Sequence, residues 1–127
     1  MTIAMVLSGD KELIVPIVEG DVIRLYDLET EDVNDCENPV SQLQSGKRGA
    51  MIRWLNEREV NILVAPPSML CELSYEAAQK EHFRYYRVPQ GTSFSDFKRF
   101  VSDNNVVLTR ELPESEIEPS IVPAPSK

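Results

Sequence analysis

The chain has few of the residues from which chemically active sites are usually built. It holds two cysteines and one histidine among 127 residues. The cysteines, Cys36 and Cys71, are far apart, and Met1 to Leu7 lead into Ser8-Gly9-Asp10 with no basic start or cleavage site. Without a secretory signal a stabilising disulfide is not expected, and both cysteines read as thiols. No run approaches the roughly 18 consecutive apolar residues that span a bilayer, so the expectation is a cytoplasmic protein with no membrane partner. Basic residues are also scarce, 13 against 21 acidic, for a net charge of −8. Such a surface repels phosphate backbones, which excludes nucleic acid as an expected partner. There is no nucleophile elbow, P-loop, HExxH or CxxC, and no internal repeat, so the expectation is a protein that is not an enzyme.

What is present is the grammar of one α/β domain. A hydrophobic content of 42% supports a single core at this length. Residues 2–7 read as a strand, and within them Ile3 to Leu7 form an unbroken apolar run suited to a central strand covered on both faces. Residues 13–18 read as a second, edge or bulged strand because Pro16 cannot donate to a ladder. Residues 22–28, rich in β-branched and aromatic side chains, would complete a hairpin with it. The acidic stretch 29–39 adds at most a weak strand around Val33. A helix is predicted from Gly46–Gly49 to about Arg58, with Met51, Trp54 and Leu55 on one stripe. Residues 60–65, apolar apart from Asn61, read as another buried strand, and Pro66-Pro67-Ser68 ends it, with Ser68 as N-cap of a second helix that buries Leu70, Leu73 and Ala77. A strand at 83–88 precedes a third helix opened by the Ser93/Asp96 capping box, with Phe94, Phe97 and Val101 inward. Residues 109–127, rich in proline and glutamate, read as a flexible acidic tail on a domain of residues 1–108.

The phrase Leu25-Tyr26-Asp27-Leu28-Glu29-Thr30 closing a hairpin, then Asn38-Pro39 before a glycine-led helix from Gly46 to Trp54, resembles the nitrogenase accessory factor family. This is the NifX/NafY type of dinitrogenase iron–molybdenum cofactor biosynthesis domain. The succession of elements across residues 1–105 follows the same pattern. The resemblance implies a three-layer α/β/α, ribonuclease H-like fold with a mixed sheet of about five strands and about three helices. It also implies a carrier or accessory protein that binds or transfers an iron–sulfur or iron–molybdenum cofactor precursor without catalysis. A cofactor-assembly or acceptor protein would be its partner. Some relatives form homodimers, for which the edge at the proline-containing strand would serve as pairing surface. The chain departs from the family in two places. It has Pro16-Ile17-Val18-Glu19-Gly20 where many relatives carry a histidine-phenylalanine-glycine phrase, and Pro66-Pro67-Ser68 where they carry a run of glycines.

Iron–sulfur clusters are generally held by about four thiolates, so one chain with two cysteines and one histidine cannot cage one. A preformed cofactor carried by one or two ligands remains compatible. Cys71 is the leading candidate, because a helix starting at Ser68 would place it in the first turn, where the dipole favours negative charge. His82, at the end of the second helix, is the second metal-ligating candidate, and Cys36, in the loop Asn34-Asp35-Cys36-Glu37, a third cofactor-binding one. Each also has a plain structural reading: a small buried hydrophobe for Cys71, an ordinary loop residue for Cys36, and a side chain over the last helical carbonyls for His82. Two other functional classes stand beside the carrier. One is a divergent protein-interaction domain of the same fold that has lost metal binding. The other is a metal-dependent hydrolase using Asp10 and Asp27, should the fold bring these carboxylates together.

Overall fold

The structure, a computed structural model, describes residues 1–119. Its centre is the pair of strands expected from their unbroken apolar runs, β1 (Thr2–Leu7) and, after β2 (Val22–Asp27), β3 (Val33–Glu37) and α1 (Lys47–Glu57), the strand β4 (Ile62–Ala65). They pair in parallel with Ala4 opposite Leu63. The chain continues through α2 (Glu72–Lys80), β5 (Arg84–Arg87), α3 (Phe94–Ser102), β6 (Leu108–Thr109) and a short 3-10 turn, Glu114–Glu116. The strands form one mixed sheet of order β3-β2-β1-β4-β5-β6. β1, β4 and β5 run parallel, while β2 and β6 run antiparallel to their neighbours. This is the expected α/β architecture, with six strands instead of five.

Alternation along β1 explains the layers. Ala4 and Val6 face one way and pack with Met51, Leu55 and Ala78 of α1 and α2. Ile3, Met5 and Leu7 face the other way, toward Phe97 of α3 and Tyr86 of β5. Every residue from Ile3 to Leu7 is fully buried, so the strand must be apolar on both faces. Fully burying one such side chain is worth roughly 1.5–3 kcal/mol, and the two clusters on either side of β1 and β4 hold the three layers together.

Residues 13–18 are not the expected strand. Leu13 and Ile14 make only isolated bridges, to Ser93 and Leu7, and the chain then turns, Glu19 N–H donating to the Pro16 carbonyl. Pro16 interrupts the ladder as its missing N–H dictates, and β1 pairs instead with β2, Thr2 opposite Asp27 and Leu7 opposite Val22. The intervening loop lies tightly under β1. A Cβ on Gly20 would come 2.2 Å from Val6 Cγ1 and 2.8 Å from the Leu7 carbonyl oxygen, so glycine is required there. Buried Asn38 fixes the loop by donating to the Ile17 and Gly20 carbonyls at 3.1 and 2.9 Å, while its Oδ1 accepts from Val40 N–H.

The hairpin is formed by β2 and β3. β3 is a complete edge strand although all five of its residues are exposed. Its register is secured by a cross-strand fork: Arg24 Nε and Nη2 donate to the two Asp35 carboxylate oxygens at 2.7 and 2.8 Å. The second helix also differs from expectation. Its N-cap is Cys71, and Ser68 instead adopts a left-handed backbone, φ 69°. Its buried stripe is Ser74 and Ala78, one turn apart, and Leu73 is 63% exposed.

Residues 109–119, expected to be a flexible tail, pack on the domain, and residues 120–127 lie outside the described residues. Thr109 continues the sheet opposite Tyr85, Leu112 is buried, and Ile117 packs on the α1/α2 side of the core. Leu112 N–H donates to the Tyr75 hydroxyl at 3.1 Å, and Arg87 forks onto the Glu116 carboxylate. The composition of the stretch as a whole concealed two apolar anchors at its start.

Two outcomes follow. Leu112→Ala should cost ~2 kcal/mol, read as a lower midpoint in urea, and an unchanged midpoint would show that the segment is not anchored. For the Arg24–Asp35 fork, hydrogen bonding from Arg24 holds the Asp35 carboxyl below its ordinary value. A lowered carboxylate contributes stability that is complete above the unfolded-state value and lost as pH falls through the folded one. Asp35→Asn should therefore be ~1 kcal/mol less stable at neutral pH and converge on the parent protein in acid. A stability difference independent of pH would contradict the ion pair.

Candidate functional site

Parallel pairing of β1 and β4 puts the starts of α1 and α2 at the same edge of the sheet. Between them lies a groove of about 860 Å³. One wall is the segment that leads into α1. Gly46 is its N-cap in a left-handed conformation, φ 70°, and can offer no side-chain cap. No acidic residue stands in the first turn. Lys47 and Arg48 stand there instead, and Arg53 reaches back from the next turn, its Nη1 3.7 Å from where a Gly49 Cβ would lie. Positive side chains at the positive end of a helix are unfavourable unless a negative group joins them. Among the described residues none of these three cations has an ion-pair partner. Arg48 Nε is moreover buried with no hydrogen-bond acceptor among the described residues.

The other wall is the start of α2. Cys71 caps it, and Ser74 closes the turn by accepting from the Cys71 N–H at 2.9 Å; the Ser74 Oγ stands 3.1 Å from Cys71 Sγ. Leu73, Ala77 and Val18 add apolar surface, and Glu118 lines the rim. The groove thus combines three cations, two helix N-termini, one thiol and an apolar face. Chemically it suits a multivalent anion with polarisable or apolar surface.

The residues singled out from the sequence do not converge. Cys71 lies in the groove. His82 follows the opposite end of α2, in a separate hollow of about 400 Å³ beside Arg84 and Arg110. Nine helical residues at ~1.5 Å each put roughly 14 Å between the two ends, beyond any shared metal. Cys36 is exposed on the outer strand β3. Among the described residues no group of three or more His, Cys, Asp or Glu could hold a metal ion. Asp10 and Asp27 are equally apart. Asp27 pairs with Thr2 at the start of β1, whereas Asp10 follows its end. Each serves its own turn, Asp27 accepting from the N–H groups of Glu29 and Thr30, Asp10 from Ser8 Oγ and the Glu12 N–H. These bonds hold both carboxyls below their ordinary values.

Sequence reasoning missed Lys47, Arg48 and Arg53. The available signal was an inverted one: a glycine N-cap followed by two cations, where an N-cap oxygen and an acidic first turn are the rule. Among the described residues no helix is long and apolar enough to cross a membrane.

No protein-family model and no curated protein matches the chain. Solved structures do. The apo form of the orange protein from Desulfovibrio gigas superposes with a TM-score of 0.70 at 14% identity, covering 85% of this chain and 92% of the other. A Thermotoga protein described as a candidate NifB protein of the DUF35 family gives 0.64 at 17% identity, covering 89% and 97%. At these identities the likeness is one of fold.

Proposed function

We propose that this chain is a non-catalytic carrier that holds a preformed, anionic metal–sulfur cofactor precursor, of iron–sulfur or iron–molybdenum type, in the groove between α1 and α2, for delivery to an acceptor protein. The observation that carries this reading is the meeting of Lys47, Arg48 and Arg53 with two helix N-termini over one groove that also contains Cys71. The likeness in fold to a protein recorded in an apo form and to one described as NifB-type supports it.

The donor set decides what kind of group fits. With one thiol in the groove, a cluster needing about four protein thiolates does not. A cluster already complete in its own sulfur ligands does. The three cations would neutralise its charge, and the buried Arg48 Nε–H is a donor that such a cluster's acceptor atoms would satisfy. The apolar face of Leu73, Ala77 and Val18 keeps water from one side, and Cys71 can supply one exchangeable thiolate. The bound group would bring metal-centred redox or assembly chemistry to its acceptor; this chain's own residues bind, orient and release.

Anaerobic incubation with tetrathiomolybdate, and separately with a synthetic thiolate-ligated [4Fe–4S] anion, tests this. After desalting, the visible chromophore and stoichiometric metal should remain with the parent protein. Arg48→Gln combined with Arg53→Gln should weaken binding roughly tenfold or more, since a charged hydrogen bond is worth ~1.5–3 kcal/mol. Cys71→Ser should weaken it less. Retention of neither probe by the parent protein would leave the protein-interaction reading as the better one.

A further inference from the structure

The segment after the core does not simply pass the groove. It is fastened across the loop between β4 and α2 by three backbone hydrogen bonds: Ser68 N–H to the Glu116 carbonyl at 2.9 Å, Glu118 N–H to the Leu70 carbonyl at 2.9 Å, and Glu72 N–H to the Glu118 carbonyl at 3.0 Å. Cys71 and Glu118 thereby form a parallel bridge. The Glu118 carboxylate accepts from the Ser68 hydroxyl, and Glu118 and Pro119 form part of the groove's rim. A helix N-terminus presents unpaired N–H groups that an incoming anion would use. At α2 one of them, that of Glu72, is taken by the Glu118 carbonyl of this strap.

We infer that residues 114–119 are an autoinhibitory strap whose Glu118 carbonyl occupies an N–H at the α2 start that an incoming anion would use, so that loading of the groove and detachment of the strap are coupled. The inference rests on the groove being an anion site. It adds that the site is partly filled by the chain itself. The anchors differ along the strap: Glu116 is held by Arg87, which is 45% exposed at its side chain, and Ile117 by the core, whereas Glu118 is held by polar bonds beside the groove. By reciprocity, the factor by which the attached strap weakens the anion's hold is the factor by which a bound anion weakens the strap's.

The test measures tetrathiomolybdate affinity by titration calorimetry for the parent protein, Glu118→Gln and Ile117→Asp, with amide hydrogen exchange read at Ser68, Glu72 and Glu118. Glu118→Gln weakens the Ser68 bond that fastens the strap beside the groove and should tighten binding roughly fivefold, the difference between a charged and a neutral hydrogen bond. Ile117→Asp frees the strap and should tighten it further, circular dichroism confirming that the domain is folded. In the parent protein the Ser68 and Glu118 amides should exchange faster with the anion bound, whereas the Glu72 N–H passes from the strap to the anion. Parent-like affinities in both variants, with the Ser68 and Glu118 amides equally protected with and without anion, overturn the strap and leave the groove standing. Failure of every form to bind overturns the groove itself, and the strap's role with it.

Discussion

The parallel pairing of β1 with β4 is the constraint on which the rest of the structure depends. Because the two strands point the same way and are buried on both faces, each connection that follows must return to the same edge before it can start again. α1 starts beyond the C-terminal ends of these strands and runs back to the start of β4, and α2 starts where β4 ends, so their N-termini meet without any dedicated motif. A groove between them is a geometric result of the sheet. What this chain adds is the choice of side chains around it.

That choice opposes local stability. A glycine cap and two cations in the first turn of α1 forgo the capping oxygen and acidic residues that ordinarily settle a helix start. α2 by contrast is well capped, by Ser74 and by the backbone of residues 116–118. The two helix starts are thus unequal, one left electropositive and the other closed by the chain. Local rules broken in this way are expected at functional sites.

Much of the scaffold was legible in the sequence because burial writes itself into periodicity. The runs Ile3–Leu7 and 60–65, the 3.6-residue stripe of Met51 and Leu55, and the Ser93 cap each correspond to the environment found. β3 was faint because it is an exposed edge held by backbone pairing and by Arg24–Asp35, which leave no apolar alternation. The stretch 13–18 misled in the opposite way, since Leu13, Ile14, Val15 and Ile17 are apolar for burial in a turn under β1. Leu112 and Ile117 were masked by the prolines and glutamates around them. The groove was hardest to see. Its members Arg48, Cys71 and Glu118 are distant in sequence and meet only through the sheet, whereas Cys71 and His82, close in sequence, are held apart by the length of one helix.

The opposed positions of the two ends of the described chain carry a practical corollary. The Met1 amino group lies by Asp27 and Glu29, at the start of β1, while Pro119 borders the groove beyond the other end of the strands. Six extended residues separate these edges by roughly 20 Å. A fluorophore, tag or immobilising surface joined ahead of Met1 thus stands clear of the groove, and one joined downstream of Pro119 is tethered at its mouth. The choice of attachment point decides whether an assay observes the groove or obstructs it.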